Sequence, residues 1–203
     1  MAEPHDEGAE ARLNAVWAAA AHYLRVRKND IHTPLSYEFA EELCLSHPQA
    51  DGLVVRLAIL LHDVGWYGID EERILAEGFG PNWKQSDVRY LHEQQGCTVA
   101  RHILGDIGYA SEVIERVCAI IDGHDTRPEA HSLEDALVRD ADRMWRFTPA
   151  GIAIASDWFR LTPTEYVCQL KARTFHELNT ETGRAMALRE LEVSVRKLRI
   201  GTL

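Results

Sequence analysis

His62 and Asp63 stand side by side at the end of an apolar run, in the stretch LLHDVG at residues 60–65. An adjacent imidazole and carboxylate can both bind one divalent cation, because their side chains diverge from consecutive backbone positions. Gly65 suits the end of a helix, where a left-handed backbone conformation favours glycine. The pair therefore indicates a metal site at a helix end.

Other residues that commonly bind metals stand at wide intervals around this pair. His32 lies 30 residues before His62, and His92 lies 30 residues after it. His124 follows after a further 32 residues, and Asp142 after a further 18. Imidazole and carboxylate together suit transition metals. Such remote residues can share one site only if the fold brings their segments together.

The elements that must position them are helical. Apolar residues recur at helical spacing along most of the chain, and no strand pattern of useful length occurs. We therefore predict an all-α fold, with residues 1–9 as a flexible N-terminus and 10–203 as a single helical domain. The longest irregular stretch is expected at 65–86, and a short Gly/Ala/Ile segment after Pro149. The predicted helices span residues 10–27, 32–46, 51–63, 87–105, 110–123, 133–145 and 163–176, and a final helix ends near residue 200.

Each candidate ligand falls on a different predicted helix or at a helix end. A bundle whose facing helices project side chains into one central cavity suits this layout. Asp125, directly after His124, is a candidate to orient a ligand.

Several stretches around these residues resemble the HD superfamily of metal-dependent phosphohydrolases. The pattern of that family is a His, an adjacent His-Asp pair and a distant Asp, and AILLHDVG resembles its helix ending in His-Asp. LVRDADRM resembles its closing helix, which makes Asp142 the ligand rather than Asp140. His92 in LHEQQGCTVA and His124 in IIDGHD are similar to the extra histidines of the two-metal branch.

This resemblance implies a helical bundle of HD type, with the metal-site core at about 28–147 and C-terminal helices at 150–203. It also implies two divalent transition metals (Fe, Mn, Zn, Co or Ni) about 3.5–4 Å apart. In a one-metal site, the two extra histidines would contact phosphate instead. The implied first metal binds His32, His62, Asp63 and Asp142, and the implied second metal binds His92 and His124, with Asp63 bridging.

Substrate-binding residues are less strongly indicated. Arg127 and Arg143 are candidate catalytic residues, because a guanidinium binds phosphate bidentately. The alternative role for each is a surface ion pair, and Lys84 is a third candidate of the same kind. Aromatic residues of the 65–86 stretch could stack on a base, but packing is the favoured role for Trp66, Tyr67 and Trp83.

Length, charge and cysteine content limit the domain number, the binding partners and the cellular location that we expect. A chain of 203 residues fits one domain, and a net charge of −10 with a pI near 5.4 disfavours nucleic acid and anionic membranes as partners. No apolar run reaches about 18 residues, so a cytoplasmic protein is expected. The four cysteines form no CxxC motif, which indicates buried free thiols.

The predicted function is therefore hydrolysis of a phosphate ester or anhydride, in a nucleotide or a small phosphorylated metabolite, by a metal-activated water. The alternative is a mixed-valent di-iron oxygenase of HD type that acts on a small polyol or organophosphonate. A third reading, nucleotide binding without catalysis, predicts missing ligands or an output domain. The apolar stripe of the final helix requires burial, either within the chain or in a homodimer.

Overall fold

The computed structural model describes residues 7–78 and 86–201, and these residues form helices without a β-strand. The predicted all-α fold is therefore confirmed. Single 3₁₀ turns lie between several helices, among them Val64–Gly68 and Trp145–Phe147. The α-helices are α1 (Glu7–Ala20), α2 (Asn29–Ser46), α3 (Gly52–Leu61), α4 (Glu71–Arg73), α5 (Val88–Ile107), α6 (Ser111–Ile121), α7 (Leu133–Met144), α8 (Pro149–Phe159), α9 (Pro163–Ala172) and α10 (Glu181–Lys197).

Helix α3 is the central element. Asp51 caps its N-terminus by accepting hydrogen bonds from the backbone N–H groups of Leu53 and Val54. From Val54 to Leu61 all its side chains except Arg56 are buried, because α2, α6 and α7 pack around it. Its last residue leads directly into His62 and Asp63, so a fully buried helix of the core carries two of the candidate metal ligands.

The apolar character of α3 also bears on membrane crossing. Within the described ranges, no single helix has both the length and the hydropathy that a membrane span requires. Two consecutive helical segments, Gly52–Gly68 and Glu71–Gly78, reach this length and hydropathy only when they are counted together, and the chain bends by 112° between them.

The C-terminal helices complete the bundle. Helix α10 packs against α7, α8 and α2, and one apolar cluster draws buried side chains from every helix except α4. On α10, Met186 and Leu191 are buried, whereas Leu188 remains 47% exposed. Most of the apolar stripe of this helix is therefore satisfied within the chain.

Three local expectations were wrong. The segment after Pro149 is helix α8 rather than a short irregular stretch, because Thr148 accepts a hydrogen bond from the Gly151 N–H and Pro149 suits a first helical turn. Of the stretch 65–86, residues 79–85 lie outside the described part of the chain, and the rest contains a 3₁₀ turn, α4 and a π-helical turn at Ile74–Gly78. Helix α1 begins at Glu7, three residues before the predicted start at residue 10.

Gly65 has a different role from the one expected. It does not adopt a positive φ, so it is not a left-handed helix cap. Instead, a Cβ at this position would lie 2.0 Å from the His92 carbonyl oxygen and 2.4 Å from the Gly96 amide nitrogen. Only glycine lets the turn after Asp63 approach the backbone of α5 so closely, and this approach brings His92 towards His62 and Asp63.

Replacing Gly65 by alanine tests this close contact. We expect Gly65→Ala to lower the free energy of unfolding by about 2 kcal/mol or more, because both neighbouring atoms belong to the backbone and cannot rotate away. The matched control is Gly105→Ala in α5, where a Cβ meets nothing within 4 Å. That change should stabilise the helix by about 0.5–1 kcal/mol. Urea unfolding followed by circular dichroism measures both, and equal effects would contradict the assignment.

Candidate metal centre

The first group of candidate ligands gathers around one carboxylate oxygen of Asp63. His32 Nε2 lies 2.9 Å from His62 Nε2. Asp63 Oδ2 lies 3.5 Å from the His32 nitrogen and 3.6 Å from the His62 nitrogen. Asp142 Oδ1 lies 3.4 Å and 3.5 Å from the same two atoms. Helices α2 and α7 and the end of α3 thus present four ligand atoms to one point.

The second group gathers around the other oxygen of the same carboxylate. Asp63 Oδ1 lies 3.7 Å from His92 Nε2 and 3.7 Å from His124 Nε2. The two imidazole nitrogens are 3.4 Å apart, and Asp125 Oδ2 lies 4.0 Å from His92 Nε2. The structure therefore brings together all six ligands predicted from the sequence, and it adds Asp125 beside them.

The separations of the first group are close to those expected around one bound ion, and those of the second group are wider. Two ligand atoms that each lie about 2.1 Å from one metal ion are about 3.0–3.4 Å apart at angles between 90° and 110°. The first group spans 2.9–3.6 Å and the second 3.4–4.0 Å. The ligand atoms are buried imidazole nitrogens and carboxylate oxygens, a donor set typical of divalent transition metals.

Backbone carbonyls orient two of the imidazoles. His62 Nδ1 lies 2.7 Å from the Ile59 carbonyl oxygen, and His124 Nδ1 lies 2.8 Å from that of Ile121. A proton on Nδ1 that is donated to the carbonyl leaves the Nε2 lone pair directed into the site. Both carbonyls stand three residues earlier in the last turn of a helix, where helical amide partners run out. The Ile121 carbonyl oxygen also accepts the backbone N–H of His124 at 3.4 Å.

The His92 ring is held by an aromatic contact instead. Its Nδ1 is buried and has no hydrogen-bond partner among the described residues. The Trp66 indole stacks on the ring, with centroids 3.9 Å apart and planes 11° from parallel. The same indole donates from Nε1 to Asp63 Oδ1 at 2.8 Å. Trp66 therefore positions one ligand of the second group and the carboxylate that both groups share.

Arg27 approaches the other oxygen of Asp63. Its Nη1 lies 3.3 Å from Asp63 Oδ2, and its guanidinium carbon lies 4.4 Å from the centre of the Trp66 ring and 5.4 Å from that of Trp158. Arg27 and Lys28 have φ values of 54° and 58°, a left-handed backbone conformation that residues other than glycine rarely adopt. This strained pair of residues turns the chain into α2 and directs the guanidinium at the site.

Glu93 fixes the loop that carries His124. Its Oε1 accepts hydrogen bonds from the backbone N–H groups of Asp125 and Thr126, at 2.9 Å and 3.0 Å. Its Oε2 accepts from the Thr126 hydroxyl at 2.7 Å. Burial raises the pKa of this carboxyl group, and the hydrogen bonds offset part of that rise. Because Glu93 follows His92 on α5, the same helix turn presents the candidate ligand His92 and holds the loop that carries His124.

The electrostatics of the centre favour cations. Burial disfavours the ionised form of Asp63, but His62 and Arg27 hold the pKa of Asp63 well below its usual range. Burial also opposes protonation of His124, yet its hydrogen bond to Asp63 and the charge of Asp125 raise its pKa to about 10. For His92, burial prevails and lowers the pKa to about 3. The buried carboxylates thus remain ionised and attract positive charge.

The predicted substrate-binding arginines lie elsewhere. Arg127 pairs with Asp135 and donates to the backbone carbonyls of Asp122 and Ala119, so it braces the loop after His124. Arg143 donates to the Arg139 carbonyl oxygen, one turn earlier in α7. Neither guanidinium contacts a candidate ligand in the described residues, and the alternative role as a structural pair fits them better. Lys84 and Trp83 lie outside the described residues, Trp66 is buried in the site, and Tyr67 packs on His22 and Tyr23 at the surface.

Other cations stand near the carboxylates. Arg89 Nη1 lies 3.7 Å from Asp125 Oδ1. Burial acts to lower the pKa of Arg146, but the negative charge of Asp142 prevails and raises it. Helical spacing could have identified Arg89, which precedes His92 by three residues, a separation that shares a helix face. Arg146 follows Asp142 by four residues but lies in the 3₁₀ turn after α7. Arg143, one residue after Asp142, points elsewhere because adjacent residues of a helix do not share a face.

Comparison with known proteins agrees with this geometry. The family model of the HD domain matches residues 29–146, and the chain belongs to this family. A crystal structure described as a predicted HD superfamily hydrolase, from an uncultured Thermotogales bacterium, is similar in fold with a TM-score of 0.60. It shares 22% sequence identity, and the alignment covers 94% of this chain and 88% of that one. The chain matches no curated protein.

Membership gives the clusters a chemical meaning. HD domains bind divalent metals and make up a family of metal-dependent phosphohydrolases. The matched segment begins at Asn29 and ends at Arg146, so it contains every candidate ligand. Arg27 and Trp158, which contact each other, lie outside it.

The role of Trp66 can be tested by removing only its hydrogen bond. Trp66→Phe retains an aromatic ring against His92 but loses the N–H that holds Asp63. We expect the affinity for Mn²⁺ or Zn²⁺ to fall by about 10–100-fold, as is usual for groups that orient metal ligands. Titration against a competing chelator measures this affinity.

The matched control is Trp17→Phe on α1, where the indole packs edge-on against Tyr37 at 5.3 Å. This change should leave metal affinity unaltered. Wild-type affinity in the Trp66→Phe variant would show that the orientation of Asp63 does not depend on the indole.

Proposed function

We propose that this protein is a metal-dependent phosphohydrolase that cleaves a phosphate ester or anhydride in a nucleotide or a small phosphorylated metabolite. The observation that carries the proposal is the position of Asp63. One of its oxygens faces His32, His62 and Asp142, and the other faces His92 and His124. A carboxylate shared in this way is suited to bridging two ions.

The proposed cofactor is a pair of divalent transition metals. His32, His62, Asp63 and Asp142 would hold the first, and His92, His124 and Asp63 would hold the second, with Asp125 near the latter. The donor set is compatible with Fe, Mn, Zn, Co or Ni. When bound, such a pair lowers the pKa of a water molecule and neutralises phosphate oxygens.

The remaining work falls to residues of the chain itself. Arg27 Nη1 and Arg89 Nη1 lie 3.3 Å and 3.7 Å from carboxylate oxygens of Asp63 and Asp125, and they supply the positive charge that a transferring phosphoryl group requires. The charge of Asp142 raises the pKa of Arg146, which adds a third cation to this region. Arg27 is the best placed of them, because its guanidinium lies between two indole rings and next to Asp63. A guanidinium has five N–H donors, so Arg27 can bind a phosphate oxygen while it retains its contact with Asp63.

Metal content is the first test. We expect about two divalent metals per chain in protein purified without chelators or a nickel column. His92→Ala and His124→Ala should each lower this to about one, because each removes a ligand of the second group only. His102→Ala serves as the control, since that side chain is 72% exposed and pairs with Asp106. About one metal per chain in the wild type, unchanged in both variants, would contradict the two-ion site.

The reaction class is tested by a substrate panel. Protein loaded in turn with Mn²⁺, Fe²⁺, Co²⁺, Ni²⁺ or Zn²⁺ is mixed with nucleoside mono- and triphosphates, dinucleoside polyphosphates and small phosphomonoesters. We expect metal-dependent phosphate or pyrophosphate release without oxygen, and its loss in Asp63→Asn. Oxygen uptake with iron on a polyol or an organophosphonate, without phosphate release under nitrogen, would indicate the oxygenase and overturn the proposal.

The contribution of Arg27 can be separated from folding. Arg27→Ala should lower kcat by about 100-fold with little change in metal content, because the charge it supplies acts on the transferring group. Arg27→Lys should recover part of the loss, since a cation remains. Arg25→Ala, an exposed position two residues earlier, should behave like the wild type. A loss of bound metal in Arg27→Ala would instead assign Arg27 to the support of Asp63 alone.

A further inference from the structure

Two cysteines lie side by side where α5 packs against α6. The Cys97 thiol donates to the Cys118 carbonyl oxygen at 3.4 Å, and the Cys118 thiol donates to the Cys97 carbonyl oxygen at 3.7 Å. Such reciprocal contacts require each side chain to point across the interface at the other residue. The helices approach closely at this point, since a Cβ on the neighbouring Gly96 would lie 3.1 Å from Ile121.

A surface groove gives small solutes a path to this pair. Its volume is about 370 Å³, and both cysteines line it together with Gln94, Arg101, Glu115 and Asp122. The two side chains are largely covered, with 7% of Cys97 and 2% of Cys118 exposed. The groove therefore gives small reagents access to two largely covered thiols.

The surroundings make the two thiols unequal. The interaction between the two side chains raises the pKa of Cys97 and lowers that of Cys118. Arg101 lines the same groove and is held by a two-point ion pair with Glu115 at 2.9–3.0 Å. Cys118 is thus the thiol that ionises first, and Cys97 is the neighbour that stabilises its thiolate.

We propose that Cys97 and Cys118 form a dithiol site that hydrogen peroxide or a small organic hydroperoxide oxidises to an intramolecular disulfide. The sulfur of the Cys118 thiolate attacks a peroxide oxygen, the O–O bond breaks, and a sulfenic acid forms as hydroxide leaves. The Cys97 sulfur then attacks the Cys118 sulfur, and the S–O bond breaks with loss of water. The two thiols lose two electrons, and hydrogen peroxide is reduced to two molecules of water.

This site is separate from the metal centre but lies on the same helices. Cys97 follows His92 by five residues on α5, and Cys118 precedes His124 by six at the end of α6. A disulfide here would covalently join the two helices that carry the second group of candidate ligands. The proposal does not depend on the reaction that the metal centre performs.

Peptide mapping tests the proposal on the native protein. After treatment with a few equivalents of hydrogen peroxide, free thiols are alkylated and the chain is digested with trypsin without reduction. Each cysteine then falls on a different peptide, with Cys97 on 90–101 and Cys118 on 117–139. We expect a protein about 2 Da lighter before alkylation, and these two peptides linked about tenfold more abundantly than any other pair.

Variants distinguish this pair from the other thiols. Cys44→Ser/Cys168→Ser should form the linkage at the wild-type rate, because it retains both sulfurs. Cys97→Ser should lose the linkage and leave a sulfenic acid on Cys118 that dimedone traps. The proposal is overturned if Cys97 and Cys118 stay fully alkylatable while the exposed Cys168 is oxidised, or if the linked peptides contain Cys44 or Cys168. The wild-type map decides the question even where a variant fails to fold.

Discussion

The structure depends on one buried carboxylate that serves two groups of histidines. Asp63 is nearly inaccessible to water, and burial of an ionised carboxylate is costly unless charges and hydrogen bonds surround it. Arg27, Trp66 and the four imidazoles provide these interactions from every side. The second oxygen is as fully engaged as the first, so the carboxylate cannot rotate without breaking contacts to both groups. The helices of the bundle are arranged around this requirement.

That arrangement needs backbone segments to approach more closely than ordinary side chains allow. Gly65 lets the turn after Asp63 lie against the backbone of α5, and Trp66 then stacks on His92 from the same turn. The short segment that follows the central helix therefore carries the candidate ligand Asp63, the glycine that contacts α5, and the Trp66 indole that orients Asp63 and His92. A rigid, fully packed support of this kind holds ligands at fixed separations better than a mobile loop does.

Sequence alone could predict the helical class and the candidate ligands that the fold brings together, but not the residues that support them. His62-Asp63 and Asp142 are embedded in local motifs, and helical periodicity is a local property. These candidate ligands and the helices can therefore be predicted without knowledge of the fold. The local sequence around Gly65 predicts a helix cap. Its actual constraint is a contact with residues about 30 positions away, which the local sequence does not show. Arg27 was missed because its position depends on a strained turn rather than on spacing. Arg89 could have been found from the sequence, because it precedes His92 by three residues on the same predicted helix. Arg146 could not be placed in this way, because it lies in the 3₁₀ turn after α7. Arg127 and Arg143 were predicted from the affinity of a guanidinium for phosphate, which does not show where a side chain points in the fold.

The helices beyond the matched family segment support the centre from behind. Asp140 stands two residues before Asp142 and therefore on the opposite side of α7. Its carboxylate accepts four hydrogen bonds from Asn179 and Thr180, at 2.6–2.9 Å, which attach the start of α10 to that side. Trp158 on α8 contacts Arg27 across the bundle. One C-terminal contact thus fixes the helix that presents Asp142, and another fixes the guanidinium beside Asp63. Because both contacts act on residues of the centre, the C-terminal helices help to set its geometry although they contribute none of the candidate ligands.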